Sequence, residues 1–167
     1  MLGMNPALWF SQLPPEWGVF LLSMIPITEL RAAIPIGIEV YKLSVIQTWV
    51  IAVLGNMVPT TCILLILPYM HEWLLKQKFV GSVLKKKLAD AEKYFKGNYA
   101  KYGSIALVVF VGIPLPLTGA WTGSLAAFVF NIPFKKSWPL IFAGVCIAAT
   151  IVVIVTVSAG GFLRAIL

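Results

Sequence analysis

The sequence predicts an all-α integral membrane protein made of an inverted repeat. Each of its two units is a re-entrant helical hairpin plus one full transmembrane helix, and a basic amphipathic helix joins them. Three observations predict this plan: the composition, three long uncharged runs, and a shared pattern of breaks in the two halves.

The 167 residues are 60% hydrophobic and only 11% charged, against about 25% charged in a soluble domain. A soluble fold of this size has too little interior to hide so much apolar surface. No Asp, Glu, Lys or Arg occurs from Leu43 to His71, from Tyr102 to Phe134, or from Ser137 to Leu163. A spanning helix needs about 20 apolar residues, so each run is long enough.

Taken in order, residues 1–16 read as an interfacial N-terminal segment. Trp9 and Phe10 lie at headgroup depth, and no basic n-region marks a removable signal peptide. Residues 17–73 form the first repeat. Its hairpin breaks at Pro26 and Pro35, inside the stretch Ile27 to Gly37 that carries Glu29 and Arg31. From Trp17 to the break is about ten residues, or roughly 15 Å of helix. That is half of a hydrocarbon core about 30 Å thick, so Trp17 to Val40 reads either as one kinked spanning helix or as a re-entrant hairpin that leaves on the side it entered.

Residues 74–101 hold eight lysines against Asp90 and Glu92, with apolar residues at helical spacing. They read as an amphipathic helix on the cytoplasmic surface, attracted by anionic lipids and not by nucleic acid. Residues 102–167 form the second repeat, with breaks at Pro114 and Pro116. Treating both breaks as hairpins gathers Lys135 and Lys136 on the side of the lysine-rich helix and leaves Lys42 and Arg164 opposite. That is the distribution the positive-inside rule favours. A shift of 90 residues superposes Pro26 on Pro116 and Thr28 on Thr118. Inverted repeats with broken helices are a plan of secondary transporters, whose sites lie near the midplane.

The candidate site residues follow from the breaks. Thr28 and Thr118 stand where a returning helix needs an N-cap, and helix N-termini attract anionic groups. Gly119 allows close backbone approach, and Trp121 stands where the first half has Arg31. Glu29 and Arg31 are ionisable at membrane depth, which costs at least about 2.5–3.5 kcal/mol each and marks function by default. Being two apart, they cannot pair well with each other, so each needs another partner. Glu29 is the candidate proton acceptor and Arg31 the candidate anion contact or counter-ion; bracing of the two tips is the alternative role. Asn56, in Gly55–Thr61, lines a pathway or glues helices, with Gly55 and Pro59 marking a break or a close crossing. Glu39 reads as solvated at the hairpin exit. Cys62 and Cys146 read as small buried hydrophobes, and nothing in the chain has the spacing of a metal site, a phosphate-binding glycine loop or a nucleophile–base pair. No cofactor and no enzymatic activity are expected.

The stretches Glu29–Pro35, Gly55–Asn56 and Pro114–Gly123 resemble the small multidrug export proteins of prokaryotes, a group similar to a divergent branch of the DedA/VTT superfamily. The resemblance covers nearly the whole chain. It implies paired re-entrant hairpins, a plasma-membrane location and, for the superfamily, proton-linked translocation of lipids such as phospholipid or polyprenyl-phosphate carriers. The arginines that DedA proteins carry around the second hairpin are missing here. The expected function is therefore secondary transport or lipid translocation, with proton-driven drug or cation export and a non-transporting envelope scaffold as alternatives. Membrane lipids, protons, an unidentified substrate and a second copy in a homodimer are the expected partners.

Overall fold

The computed structural model of the chain describes residues 13–76, 103, 105–114 and 119–166, with side chains as far as Tyr69 and Ala159 in the two long helices. Most of the expected surface helix and N-terminal segment, together with Pro116 and Thr118, lies outside the described residues. Helices account for nearly all the rest. They are α1 (Pro15–Met24), α2 (Glu29–Pro35) running into a π-helical turn (Ile36–Val40), α3 (Val45–Lys76), α4 (105–112), α5 (Ala120–Val129) and α6 (Phe134–Ile166).

Local chemistry explains where the first helices begin and end. Pro15 occupies the first helical position of α1, where its missing N–H costs nothing, and Glu16 complements the dipole. Ile25 ends α1 in an extended conformation (φ −76°, ψ 131°), because the following Pro26 disfavours the helical region for the residue before it. α2 then starts, and the backbone differs from expectation at Pro35. This proline is helical (φ −58°, ψ −42°) and ends α2 without breaking the chain's direction. Lacking an N–H, it makes no bond to the Arg31 carbonyl, and the chain continues as a π turn in which Tyr41 N–H donates to Ile36 O at 2.9 Å. Lys42, at φ 55°, closes the segment, with Leu43 N–H donating to Gly37 O. Ser44 and Gln47 then start α3 as a capping pair: Gln47 N–H donates to Ser44 Oγ at 3.3 Å, and Ser44 Oγ lies 2.9 Å from Gln47 Oε1.

The described residues divide into two compact units, residues 1–59 with 145–167 and residues 60–144. In the first, α1 and the α2–π arm lie side by side. A Cβ on Gly18 would sit 2.7 Å from the Tyr41 ring, and one on Gly37 would sit 2.9 Å from Val19. The chain therefore doubles back at residues 25–28. α3 lies against this hairpin through Gly55, where a Cβ would collide with Ser23 Oγ and stand 2.5 Å from the Phe20 carbonyl oxygen. Of the two expectations for the Gly55–Pro59 stretch, the close crossing holds, since α3 runs unbroken through Pro59. The core here is Val19, Leu22, Leu30, Ala33, Ile34, Ala52 and Val53.

In the second unit α4 and α5 double back in the same way. A Cβ on Gly123 would collide with Val111, and Leu107 Cδ1 lies 3.9 Å from the same point. α6 meets this pair through Gly144, 2.7 Å from Val111 Cβ and 2.9 Å from the Val108 carbonyl oxygen by the same measure. One bond recurs in both units with the roles of the long helices exchanged. Trp49 of α3 donates its indole N–H to Thr150 of α6 at 3.2 Å in the first. Trp138 of α6 donates to Thr61 of α3 at 2.9 Å in the second.

Among the described residues, two helices are long and apolar enough to cross a membrane, Val45–Tyr69 and Phe134–Ala159. At 25 and 26 residues they measure about 38 Å. Only 44% and 33% of their most apolar windows are buried, so the chain itself leaves much of their hydrophobic surface uncovered. Cys62 is part of that exposed surface, against the expectation of a buried thiol; Cys146 is half-buried.

Candidate functional site

The first hairpin's tip is the most polar place in the described core. Thr28 and Glu29 are both buried there, at 7% exposure each. Beside them Pro26 and Ile27 are exposed, Ile27 almost fully. This inverts the ordinary preference of polar and apolar groups for water, and it suits a turn whose outer side meets an apolar medium.

Thr28 holds the N-cap position of α2 but does not cap it, which corrects the sequence expectation. Its backbone is helical, and its hydroxyl donates backwards to the Leu22 carbonyl at 2.6 Å. The reason is the proline break. With Pro26 unable to donate, the last carbonyls of α1 need another donor, and Thr28 is the hydroxyl within reach. The tip is therefore a closure of the outgoing helix more than an opening of the returning one. α2 itself is seven residues long before it passes into the π turn.

Glu29 follows at φ 42°, a left-handed conformation that costs a side chain with a Cβ about 1–2 kcal/mol. Its N–H donates to Ile25 O at 2.9 Å, so the strained residue completes the turn. Ninety residues on, Gly119 has φ 142°. There a glycine takes the positive φ without the Cβ penalty. The first tip thus keeps a buried carboxylate where the second has a residue suited to the backbone.

Arg31 is half-buried two residues further along α2. Asn56 is fully buried on α3, next to the Gly55 that touches the last turn of α1. The first unit thus gathers Thr28, Glu29, Arg31 and Asn56 around one hairpin. Gly119 and Trp121 belong to the second unit, where Gly119 precedes α5 and the Trp121 indole N–H is buried with no hydrogen-bond partner among the described residues. At the hairpin exit Glu39 pairs with Lys42 at 3.8 Å, with the lysine well exposed, in keeping with the solvated position read from the sequence.

The family model described as "Putative small multi-drug export protein" matches residues 29–151. The chain belongs to this family. The match begins at Glu29, the strained acid of the tip, and takes in both hairpin returns and the greater part of both long helices. No curated protein and no solved structure matches. Membership in the family makes the chain a small membrane protein of the export type, in agreement with its two spanning helices.

Sequence reasoning missed the two tryptophan–threonine bonds. The signal was present as a repeated Ser/Thr-Trp-x5-Gly-x5-Thr pattern, in Thr48 to Thr61 and Ser137 to Thr150. It lies at a shift of 89 residues, one away from the 90 that aligns the tips.

Proposed function

We propose that the chain is a secondary transporter that exports small organic cations in exchange for protons, with Glu29 as the group that carries charge or proton in turn. The observation that carries this reading is the buried carboxylate of Glu29 on a strained backbone. Strain of this kind persists where the surrounding structure over-determines it, and it clusters at functional sites. The family's description as a drug exporter supports a cationic or amphiphilic substrate.

Membrane re-entrance of the hairpins is part of the proposal. Gly55 stands ten residues into α3 and Gly144 ten residues into α6, a rise of about 15 Å in each case. Each glycine meets the hairpin of its own unit. If each long helix starts at an interface, each hairpin ends about halfway across a core about 30 Å thick. The inverted repeat has support of the same kind. Buried Leu30, Ala33, Ile34 and Gly37 match buried Ala120, Gly123, Ser124 and Ala127 at a shift of 90. The long helices match at 89, as do the left-handed exit residues Lys42 and Asn131. The single residue of difference falls in the π turn, where a one-residue insertion is expected. Exchange of donor and acceptor helix in the tryptophan–threonine bonds is what an inverted duplication produces.

A second reading, translocation of a lipid phosphate by a DedA-like route, draws on Arg31, which is more accessible than Glu29 at the same tip. Proteoliposome flux across a pH gradient separates the two. Glu29→Gln abolishes proton-driven efflux of a cationic dye while Arg31→Gln retains it, if the cation reading is correct. The opposite pattern, with loss of lipid flipping in Arg31→Gln, favours the lipid reading. No flux of dye or lipid by the unaltered protein leaves a scaffold. We propose further that Lys42 lies outside and Lys136 lies with segment 74–101 on the cytoplasmic side of a prokaryotic plasma membrane, in a homodimer; labelling of both lysines from one side overturns this sidedness.

A further inference from the structure

We infer that Ser23 is a latch between the first hairpin and α3, whose hydroxyl exchanges between the Phe20 carbonyl of its own helix and the Gly55 carbonyl of α3. Its part in the transport cycle rests on the proposed export of cations by Glu29; the exchange of acceptors does not.

Two features of the first unit meet at this point. Pro59 stands inside α3, and it has no N–H for the carbonyl four residues back, that of Gly55. In hydrocarbon, a backbone group freed in this way is re-satisfied by a neighbouring helix or by a Ser or Thr side chain. Ser23 is the hydroxyl at hand. It is fully buried in the last turn of α1, and a Cβ on Gly55 would collide with its Oγ. In this structure the hydroxyl donates to Phe20 O at 2.7 Å, and the same Cβ would stand 2.5 Å from that oxygen. One proton is thus placed beside two stretches of backbone, one of which has lost its ladder donor.

The second half supplies the comparison. Gly144 of α6 meets Val111 and the Val108 carbonyl as Gly55 meets Ser23 and the Phe20 carbonyl. Four residues beyond Gly144 stands Ala148, which has an N–H to give. Where the long helix keeps its donor, the hairpin presents a valine. Where proline removes the donor, the hairpin presents a hydroxyl. Burying a hydroxyl is unfavourable beside burying a valine, and a back-bond to its own helix adds no stability to that helix. The paired occurrence of Pro59 and Ser23 is what the latch explains. Bonded to Phe20 O, the hydroxyl leaves α3 free to bend at its missing bond; bonded to Gly55 O, it ties α3 to the hairpin. Glu29 lies six residues beyond Ser23, at the tip of the same hairpin, so the latch governs how firmly that tip is held.

The test uses the full chain in detergent, labelled with carbonyl-carbon-13 glycine and nitrogen-15 asparagine. Gly55–Asn56 and Gly97–Asn98 are the doubly labelled peptide bonds, and Gly97→Ala tells them apart. A carbonyl carbon resonates further downfield when it accepts a hydrogen bond. Ser23→Ala is expected to move the Gly55 signal upfield in the protein with Pro59, and to leave it in place in Pro59→Ala, where α3 supplies its own donor. In proteoliposomes, Ser23→Ala and Pro59→Ala are each expected to slow efflux of saturating ethidium at least about fivefold, the rate equivalent of one hydrogen bond, with KM kept. The double variant is expected to be no slower than the slower single one. An unmoved Gly55 signal in Ser23→Ala, or equal movement with and without Pro59, overturns the latch. Unchanged efflux in Ser23→Ala beside a moved signal makes the bond a fixed brace and overturns its part in export. An unaltered protein that moves no ethidium overturns the cation reading, while the carbonyl signal still decides the exchange.

Discussion

The indole N–H of Trp49 donates to Thr150 Oγ1 at 3.2 Å, joining the start of one long helix to the other in the first unit. Trp138 and Thr61 repeat the bond at 2.9 Å in the second. In each, a side chain too polar for lipid finds a partner on another helix, the usual way that membrane helices are held in register. Thr150 is itself anchored, donating to Cys146 O at 2.8 Å.

Loss of either tryptophan bond is expected to weaken the α3–α6 pairing. Trp138→Phe keeps an aromatic ring beside Phe142, on which the indole stacks at 5.5 Å, and removes the N–H together with one ring of the indole. It should cost about 0.5–1.5 kcal/mol. Melting of Trp138→Phe, Thr61→Ala and the double variant checks this, with a coupling of at least about 0.5 kcal/mol expected between the pair.

Gly55 is expected to tolerate no side chain. In Gly55→Ala the new methyl meets Ser23 Oγ and the backbone carbonyl of Phe20. Backbone cannot swing away as a flexible side chain does, so α3 must move off the hairpin. Overpacking of this kind costs about 1–3 kcal/mol, read as a lower melting temperature and weaker expression of inserted protein.

Thr28 offers a test of donor against acceptor. Its hydroxyl donates to Leu22 O, so Thr28→Ser should keep the bond and Thr28→Val should lose about 1–3 kcal/mol. Thr28→Asp separates the observed role from an N-cap. An ionised aspartate is a good N-cap but has no proton to donate, so it should destabilise at least as much as valine does.

Glu29→Gly is expected to divide stability from function. Glycine takes φ 42° without the Cβ clash, as Gly119 takes its own positive φ. The variant should melt higher, by an amount on the order of 1 kcal/mol, and lose proton-driven efflux. A variant that is both more stable and fully active removes Glu29 from the mechanism.

Much of the helical plan was legible in the sequence. Uncharged runs of sufficient length account for the two spans, since lipid accepts only helices whose backbone groups are satisfied internally. Pro26 announced the turn, because proline denies its predecessor the helical region. Pro35 misled, since a proline at a helix end breaks nothing if the chain can relax into a π turn. Thr28 misled for a related reason. A hydroxyl is both donor and acceptor, and sequence does not say which helix end will use it.

The sequence by itself determined that this chain lives in a membrane, where it turns, and that it belongs with small exporters. These follow from counts, runs and prolines, which act locally. The tertiary structure decided what Thr28, Glu29 and Asn56 experience. Burial of the acid and the two tryptophan–threonine bonds depend on residues far apart in the chain. A hydrogen bond across 101 positions, as between Trp49 and Thr150, exists only once the helices have packed.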